Sequence, residues 1–418
     1  MNLRGTRTEN FRDFSEGCIF ETLLPARFRF YLPTRIEFGV GILERVGEEA
    51  AKLGRRALIV ISKGGSMRRA GILEKVQNFL YENGVESVVF DKVQPNPIAP
   101  TVDEGAQLAR EKRCDLVIGL GGGSPIDTAK CIALMAKSPG KFWDYVQSGS
   151  GGRRTPQEAL PIIAIPTTAG TGTEADPFAV ITNPDTKEKI GIGFELLFPK
   201  VSLVDPQLML TVPKDQTAYT GMDAFYHALE SYLNLNHQPT SDLLALQAIR
   251  LITEYLPRAY ENGQDLEART KLAWASTAAG ICETLAGCIG LHAMEHPISG
   301  HYPEVPHGAG LAALGPSFCE YILPYTQERL ACVAKAMGEK IESLTLKEAS
   351  KAAISAIRRL QARVGLAELN LRMLGVEPNM IPRLAKDAIA TMGSLVAVTP
   401  GNLGEADLIK IYHQALTG

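Results

Sequence analysis

The sequence predicts an N-terminal doubly wound α/β domain followed by an all-α C-terminal domain. Up to about residue 205, short apolar runs alternate with helical segments, which is typical of a parallel sheet covered by helices on both faces. Beyond that point strand signals nearly vanish, and long segments with apolar residues at the helical period follow. We therefore predict an N-terminal extension at 1–26, an α/β domain at 27–205 and a helical domain at 206–418.

Individual elements follow from the same patterns, taken in chain order. In the first domain we predict one or two strands within 28–38 and single strands at 56–61, 87–90, 116–120 and 160–165. We predict helices at 42–53, from the glycine turn after residue 61 through residue 80, and at 101–111. In the second domain we predict helices at 216–233, 241–260, 266–285, 324–336, 347–364, 379–392 and 405–416.

Composition excludes several classes of protein. With 418 residues, 45% hydrophobic and 21% charged, the chain can fill the cores of two domains. A net charge of −3 offers no broad basic face, which argues against nucleic acid as a partner. No apolar run reaches the roughly 20 residues of a membrane helix and no signal-type segment opens the chain, so we expect a cytoplasmic protein without membrane contact. The seven cysteines form no Cys-x-x-Cys pair, and we expect free thiols and no cysteine ligand to a metal.

A glycine-rich loop follows the strand predicted at 116–120. Gly121, Gly122 and Gly123 let the backbone approach a ligand closely. Ser124 can cap the following helix with Pro125 at its first position, and free N–H groups at that helix start attract phosphate. The alternative is a glycine turn that serves geometry alone.

A second polar loop, 166–175, follows the strand predicted at 160–165. It contains Thr167 and Thr168, whose hydroxyls can bind phosphate or ribose oxygens, although a self-capping polar turn is the plainer interpretation. In an open α/β sheet, ligands lie beyond the carboxyl ends of the strands, so both loops can face one dinucleotide. The first domain is therefore predicted to be nucleotide-binding.

Four of the seven histidines fall within residues 290–308. His292 and His296 are four residues apart and project from one face of a helix. Pro303 and Pro306 end that helix, so His307 can return from a loop toward the same point. Upstream, Asp223 and His227 are also four apart in a stretch rich in helix-forming residues.

These motifs together predict an Asp-His-His-His site for a divalent metal. One carboxylate and three imidazoles suit a borderline divalent metal. A lone Asp/His pair is more often a solvated face or a core histidine, but buried imidazoles would each need a hydrogen-bond partner of their own. Both histidine motifs lie in the helical half and both glycine loops in the α/β half, which predicts a working cleft between the halves.

With these residues in place, the chain resembles the iron-containing (group III) alcohol dehydrogenases, and the resemblance runs from about residue 33 to 412. It is carried by the loop 121–130, the loop 166–174, the segment 221–230, and the histidine stretch that ends in Pro306-His307-Gly308. The family fold, shared with dehydroquinate synthase-like enzymes, is the one predicted above.

The resemblance implies roles for individual residues. Metal ligands would be Asp223, His227, His292 and His307, with iron as the usual metal and zinc as another; His301 is an extra imidazole, and the Pro-His-Gly context favours His307 over it. His296 would be the catalytic histidine near nicotinamide and substrate. Coenzyme contacts are implied for Gly121, Gly122, Gly123, Ser124, Asp127, Thr167, Thr168 and Lys189, the last at the ribose.

The turn after the strand at 56–61 bears on the coenzyme. Family members that favour NAD tend to carry a carboxylate there, whereas this turn holds Ser62, Gly65 and Ser66, which we expect to contact coenzyme, and three cations at Lys63, Arg68 and Arg69. A 2′-phosphate needs such donors, so we predict NADP rather than NAD. The alternative is that the cations are solvated charges at a helix start.

The implied reaction is reversible hydride transfer between a nicotinamide and a small alcohol or aldehyde, in a homo-oligomer that we expect to be a dimer. Residues 279–307 contain no Lys or Arg, which favours an uncharged substrate over the anionic substrates of dehydroquinate synthase-like lyases. Two further hypotheses are a glycerol dehydrogenase-like enzyme and a metallohydrolase that binds no nucleotide.

Overall fold

A computed structural model describes residues 27–417, so the predicted extension at 1–26 lies outside the described residues. A six-stranded parallel sheet forms the first half, with the strand order β1-β8-β5-β4-β2-β3. A separate antiparallel hairpin pairs β6 with β7. The strands are β1 Arg35–Phe38, β2 Arg56–Ser62, β3 Glu86–Val93, β4 Leu116–Gly121, β5 Ile162–Pro166, β6 Phe178–Thr182, β7 Lys189–Gly193 and β8 Val201–Val204.

The sheet is buried on both faces, which explains why its strands are continuous apolar runs. In β2, Leu58 and Val60 pack into one core cluster, while Ala57, Ile59 and Ile61 pack into another. Helices cover both faces: α1 Val46–Leu53, α2 Ser66–Arg69, α3 Ile72–Glu82, α4 Ala99–Glu111 and α5 Gly123–Met135. Short 3₁₀ segments occur at Ile42–Arg45, Phe142–Tyr145, Glu195–Leu197, Pro206–Met209 and Pro378–Met380. The predicted doubly wound α/β fold is confirmed.

Two features of this half differ from the prediction. The strand expected at 28–38 covers only Arg35–Phe38, because only that segment pairs with β8. The β6–β7 hairpin was missed, although both strands have buried residues alternating with more exposed ones. The hairpin contacts the helical half, so it forms part of the boundary between the two halves.

The second half is helical from Lys214 onward, as predicted. Its helices are α6 Lys214–Leu233, α7 Pro239–Glu261, α8 Leu266–Ala286, α9 Gly290–His301, α10 His307–Ala336, α11 Leu346–Arg363, α12 Ile381–Ala397 and α13 Glu405–Ala415. The start expected at residue 324 is wrong, because α10 begins at His307 and bends at Thr326, whose φ of −134° interrupts the helix after Pro324.

Two further findings concern possible membrane-spanning helices and the state of the cysteines. Within residues 27–417 no single helix has the length and apolar character needed to cross a bilayer; α8 and α9 reach that threshold only as a pair bent by 109°. Buried free thiols are present at Cys114, Cys131, Cys282, Cys288 and Cys319. Cys332 is disulfide-bonded, so the expectation of free thiols throughout is wrong there; sequence spacing carries no signal of such a pairing.

Candidate metal centre and coenzyme cleft

Three helices bring the predicted metal ligands to one point. Asp223 and His227 are one turn apart on α6, and His292 and His296 are one turn apart on α9. Pro306 is the residue before α10, so His307 opens that helix and its ring returns toward α9, as predicted.

Asp223, His292 and His307 lie close enough together to share one metal ion, and His227 lies beside Asp223 and His292. Asp223 Oδ1 lies 3.5 Å from His227 Nδ1, 3.8 Å from His292 Nε2 and 3.7 Å from His307 Nε2. The ligand atoms of Asp223, His292 and His307 all lie within 4.8 Å of one another. The rings of His227 and His292 are 4.4 Å apart between centroids.

The donor atoms fit a divalent metal. Asp223 Oδ1, His227 Nδ1 and His292 Nε2 are buried and have no hydrogen-bond partner among the described residues. Orphaned buried polar atoms are costly, and three of them converging on one point is the expected signature of a cation site. One carboxylate with imidazoles matches the ligand chemistry of iron and zinc.

Carboxylates behind the shell fix two of the imidazoles. Glu230 Oε1 lies 2.5 Å from His292 Nδ1, while its other oxygen accepts hydrogen bonds from the backbone N–H groups of Ile289 (2.8 Å) and His292 (3.3 Å). Glu295, fully buried, contacts His307 Nδ1 in the same way. Both contacts hold Nδ1 so that Nε2 faces Asp223.

The pKa values of three of the four predicted ligands favour the states that bind a metal, an ionised carboxyl for Asp223 and neutral imidazoles for His227 and His307. Burial opposes ionisation of Asp223, but the neighbouring His227, His292 and His307 hold its pKa at about 2. Burial lowers the pKa of His227 to about 4, and burial together with Lys189 lowers that of His307 well below its usual range. His292 differs, because Cys288 and Glu230 raise its pKa well above the usual range despite burial.

The two remaining histidines of the stretch differ in position: His296 lies beside the predicted ligands, and His301 lies outside the cluster. His296 is buried, its Nδ1 has no partner among the described residues, and its ring lies 5.5 Å from that of His307. Burial and Lys189 lower its pKa well below the usual range, so its imidazole is neutral. His301 lies outside the cluster, with its Nε2 2.9 Å from Asp387 Oδ2, which supports His307 as the ligand.

A cavity of 610 Å³ opens beside these histidines and extends to the glycine loop, so the predicted cleft between the halves is present. Among the residues predicted to function, it is lined by Gly123, Ser124, Asp127, Lys189, His227, His292, His296 and His307. Gly121, Gly122, Thr167 and Thr168 are not among the lining residues, nor are Ser62, Gly65 and Ser66.

The glycine loop is built for close packing at the start of α5. Gly121 has a φ of +150°, and a Cβ on Gly123 would lie 2.5 Å from Thr171 Cγ2. The expected cap by Ser124 is wrong: Gly122, in an extended conformation, precedes the helix, which therefore begins at Gly123 without a side-chain cap. The first N–H groups of α5 thus remain available to an anion.

The second loop packs against the first. Thr167 N donates to Gly121 O at 2.8 Å, and a Cβ on Gly122 would lie 3.1 Å from Thr168 Oγ1. Both threonines therefore support the glycine loop, and a direct contact of either with coenzyme stays a prediction. Thr171 and Thr173, which were not singled out, do line the cavity.

Asp127 and Lys189 have partners within the protein. Asp127 accepts hydrogen bonds from Thr173 Oγ1 (2.7 Å) and Val180 N (2.9 Å), and burial raises its pKa to about 6. Lys189 Nζ lies 3.1 Å from Asn96 Oδ1 and 3.4 Å from His307 Nδ1. The predicted contact of Lys189 with a ribose stays a prediction.

The predicted coenzyme turn adjoins the sheet edge where β2 ends, next to β4. Gly65 adopts a φ of +70° immediately before α2. Arg68 pairs with Asp91 on β3 at 2.8 Å, and Arg69 donates to Gly64 O at 2.7 Å. Two of the three cations thus have partners within the protein. The carboxylate of Asp91 lies beside the turn but belongs to β3, so the sequence of the turn alone does not predict it.

Models of known families match both halves of the chain. The iron-containing alcohol dehydrogenase model matches residues 33–206. The model of the Fe-containing alcohol dehydrogenase family, C-terminal, matches residues 217–416. The two matches cover the α/β half and the helical half in turn.

Individual relatives align over nearly the whole chain. A 1,3-propanediol dehydrogenase of Citrobacter freundii is 37% identical over 93% of this chain and 98% of its own length. An NAD-dependent methanol dehydrogenase of Bacillus methanolicus is 35% identical, over 86% of this chain and 92% of its own. The crystal structure of an archaeal halo-thermophilic alcohol dehydrogenase from a Red Sea brine pool superposes with a TM-score of 0.90 at 38% identity, covering 94% of this chain and all of that one.

Proposed function

The chain belongs to the iron-containing alcohol dehydrogenase family, and from this we propose that it is a metal-dependent alcohol dehydrogenase that transfers hydride reversibly between a nicotinamide coenzyme and a small alcohol or carbonyl compound. The observation that carries the proposal is the single cavity that joins the glycine loop at Gly123 to the imidazoles of His292 and His307. A hydride acceptor and a polarised oxygen must lie within reach of each other, and one continuous cavity allows this.

The chain supplies a ligand set, an anion site and a proton carrier. Asp223, His227, His292 and His307 would hold iron or zinc, which when bound supplies Lewis-acid stabilisation of negative charge on the substrate oxygen. The N–H groups at the start of α5 bind coenzyme phosphate.

We assign proton transfer to His296. Its buried, neutral imidazole has an unpartnered Nδ1 and lines the cavity, so it can accept the proton released from an alcohol and return it during reduction. Its position one turn from His292 keeps it beside the metal ligands without joining them.

Activity is tested with protein purified without oxygen and loaded with iron or zinc. We expect oxidation of short alcohols and reduction of the matching aldehydes with a nicotinamide coenzyme, and loss of both on chelation. Alcohol turnover by protein stripped of metal would contradict the proposal. Hydrolysis without any coenzyme binding would favour a metallohydrolase instead.

We further propose that the coenzyme is NADP. The turn after β2 contains no carboxylate, and Lys63 is exposed there; against this, the methanol dehydrogenase relative is NAD-dependent. Ser62→Asp should lower the ratio of kcat/KM for NADPH over NADH by about tenfold or more, because a carboxylate repels the 2′-phosphate and binds ribose hydroxyls. An unmodified protein that prefers NADH would contradict this proposal.

We also propose a cytoplasmic homodimer. Sedimentation of the purified full-length chain tests the assembly, and a monomer at micromolar concentration would contradict it.

A further inference from the structure

The wall of the cavity formed by β7 lacks side chains at two positions. Alternate residues of this strand, Lys189, Gly191 and Gly193, face the cavity, while Ile190 and Ile192 pack into the core on the other face. Glycine weakens a strand, because it has no side chain to pack and loses more conformational freedom on folding than any other residue. A structural reason is therefore expected for each of the two glycines.

Gly193 has such a reason, and Gly191 has none. A Cβ on Gly193 would lie 2.5 Å from the ring of Phe178, its partner on β6. A Cβ on Gly191 would meet only Met392 Cε at 3.5 Å and Val180 Cγ2 at 3.8 Å among the described residues, and both are ordinary van der Waals distances. The φ of Gly191 also lies outside the left-handed region. The fold therefore has room at this position for a side chain that the sequence leaves out.

The space over Gly191 is a notch in the cavity wall, enclosed on four sides. Val180 lies directly across from Gly191 on β6. Along the hairpin, Lys189 bounds the notch at one end and the ring of Phe178 bounds it at the other. Met392 approaches from α12, where its φ of −130° interrupts the helix. Three of the four enclosing side chains are apolar, so the notch suits one short apolar branch rather than an extended chain.

The notch opens into the cavity that contains the histidines. His296 lines the same cavity, and its buried Nδ1 has no partner among the described residues, which independently indicates a ligand there. Lys189 is two residues from Gly191, a span of about 7 Å along a strand, and its Nζ lies 3.4 Å from His307 Nδ1. An alcohol held at the predicted metal centre can therefore place a carbon branch in the notch.

We propose that Gly191 is a specificity-determining residue, and that the alcohol substrate carries an apolar branch of about one methyl group that occupies the notch against Val180 and Met392. The inference rests on the proposed function, because it names the shape of the alcohol that the same cavity takes. Met392 is unbranched and adaptable, so its terminal methyl group can move to admit a slightly larger branch.

Three isomeric alcohols test the inference: 1-pentanol, 2-methyl-1-butanol and 3-methyl-1-butanol. They have the same composition and differ only in the presence and position of the branch. With the metal-loaded enzyme and coenzyme, we expect kcat/KM for at least one branched isomer to exceed that for 1-pentanol by about fourfold or more, the effect of one further buried methyl group. Values for both branched isomers at or below that for 1-pentanol would contradict the inference.

Variants of the notch test the assignment to Gly191. Gly191→Ala places a methyl group in the notch, so the ratio of kcat/KM for the preferred branched isomer over 1-pentanol should fall by about tenfold or more. Adding Met392→Ala to this variant reopens the space and should return the ratio to within about threefold of the unmodified enzyme. Gly404→Ala is the matched control, because its Cβ would meet only Asp407 Oδ2, at 3.9 Å, among the described residues and because it does not line the cavity. It should leave the ratio unchanged.

Thermal unfolding separates a role in specificity from a role in packing, without any turnover. The methyl group of Gly191→Ala would make only ordinary contacts, and alanine loses less conformational entropy on folding than glycine. The midpoint of unfolding should therefore stay the same or rise. A fall of several degrees would show that this glycine serves packing, and would overturn the inference.

Calorimetric titration into the metal- and coenzyme-loaded protein should give the three alcohols the same order of Kd values as of kcat/KM. An unchanged ratio in Gly191→Ala, or a loss of coenzyme affinity in that variant that slows all three alcohols equally, would overturn the inference alone. Failure of the unmodified, metal-loaded enzyme to oxidise any alcohol would instead overturn the proposed function, and this inference with it.

Discussion

Glu230 should control metal affinity through the tautomer of His292. Its Oε1 lies 2.5 Å from His292 Nδ1, and its Oε2 accepts two backbone N–H groups at the start of α9. In Glu230→Gln the amide oxygen can keep the backbone bonds while the amide nitrogen faces Nδ1. Nδ1 must then act as an acceptor, which moves the ring proton to Nε2, the atom that faces Asp223.

We expect Glu230→Gln to weaken metal binding by about 10- to 100-fold, the usual effect of losing such an orienting carboxylate. The metal-free protein should also lose some stability, because a neutral amide no longer pairs with the His292 imidazolium whose pKa Glu230 raises. Glu230→Ala should weaken metal binding similarly and also lower the free energy of unfolding by about 3 kcal/mol or more, because two charge-assisted backbone hydrogen bonds of about 1.5–3 kcal/mol each are lost.

Chelator-competition titrations with zinc or cobalt measure the affinity, and thermal unfolding of metal-free protein measures the stability. Glu267→Gln serves as the control, since its side chain is 58% exposed and pairs only with Arg258 among the described residues. A Glu230→Gln protein that binds metal as tightly as the unmodified one would refute the tautomer argument.

Two further predictions concern the histidines. His292→Ala should lose metal and activity together, whereas His296→Ala should keep the metal, by elemental analysis, and turn over about 10²- to 10⁴-fold more slowly; metal loss from His296→Ala would contradict its assignment. Metal uptake at pH 7 should release about one proton, because His292 alone among the ligands has a raised pKa, while the pKa of Asp223 is about 2 and that of His227 about 4. The apparent affinity for metal should therefore rise with pH. Calorimetry in buffers of different ionisation enthalpy counts the protons released, and a count near zero or near three would contradict this prediction.

Local periodicity accounts for what the sequence could predict. The apolar runs of β2 and β4 and the i, i+4 spacing of the Asp223/His227 and His292/His296 pairs are properties of short segments, and the structure places them as those spacings require. Pro306 likewise marked the return of His307, because proline limits the backbone wherever it stands.

Predictions failed where contacts between distant segments decide the outcome. Ser124 is a good capping residue, but the packing of Gly123 against Thr171 allows α5 to begin two residues earlier, at Gly123 instead of Pro125. Arg68 was counted as a free donor for phosphate until β3 placed Asp91 beside it. Glu283 lies 3.6 Å from His227 only because α8 packs against α6, and no spacing within the chain predicts that contact.

The account depends on a coenzyme and a metal meeting in one cavity between the two halves. A crystal structure of the iron- or zinc-loaded protein with coenzyme, with the metal located by anomalous scattering, tests this most directly. We predict metal density among Asp223, His227, His292 and His307, the coenzyme phosphates at the start of α5, and the nicotinamide ring beside His296. Coenzyme bound away from Gly123, or metal bound outside those four ligands, would contradict the account.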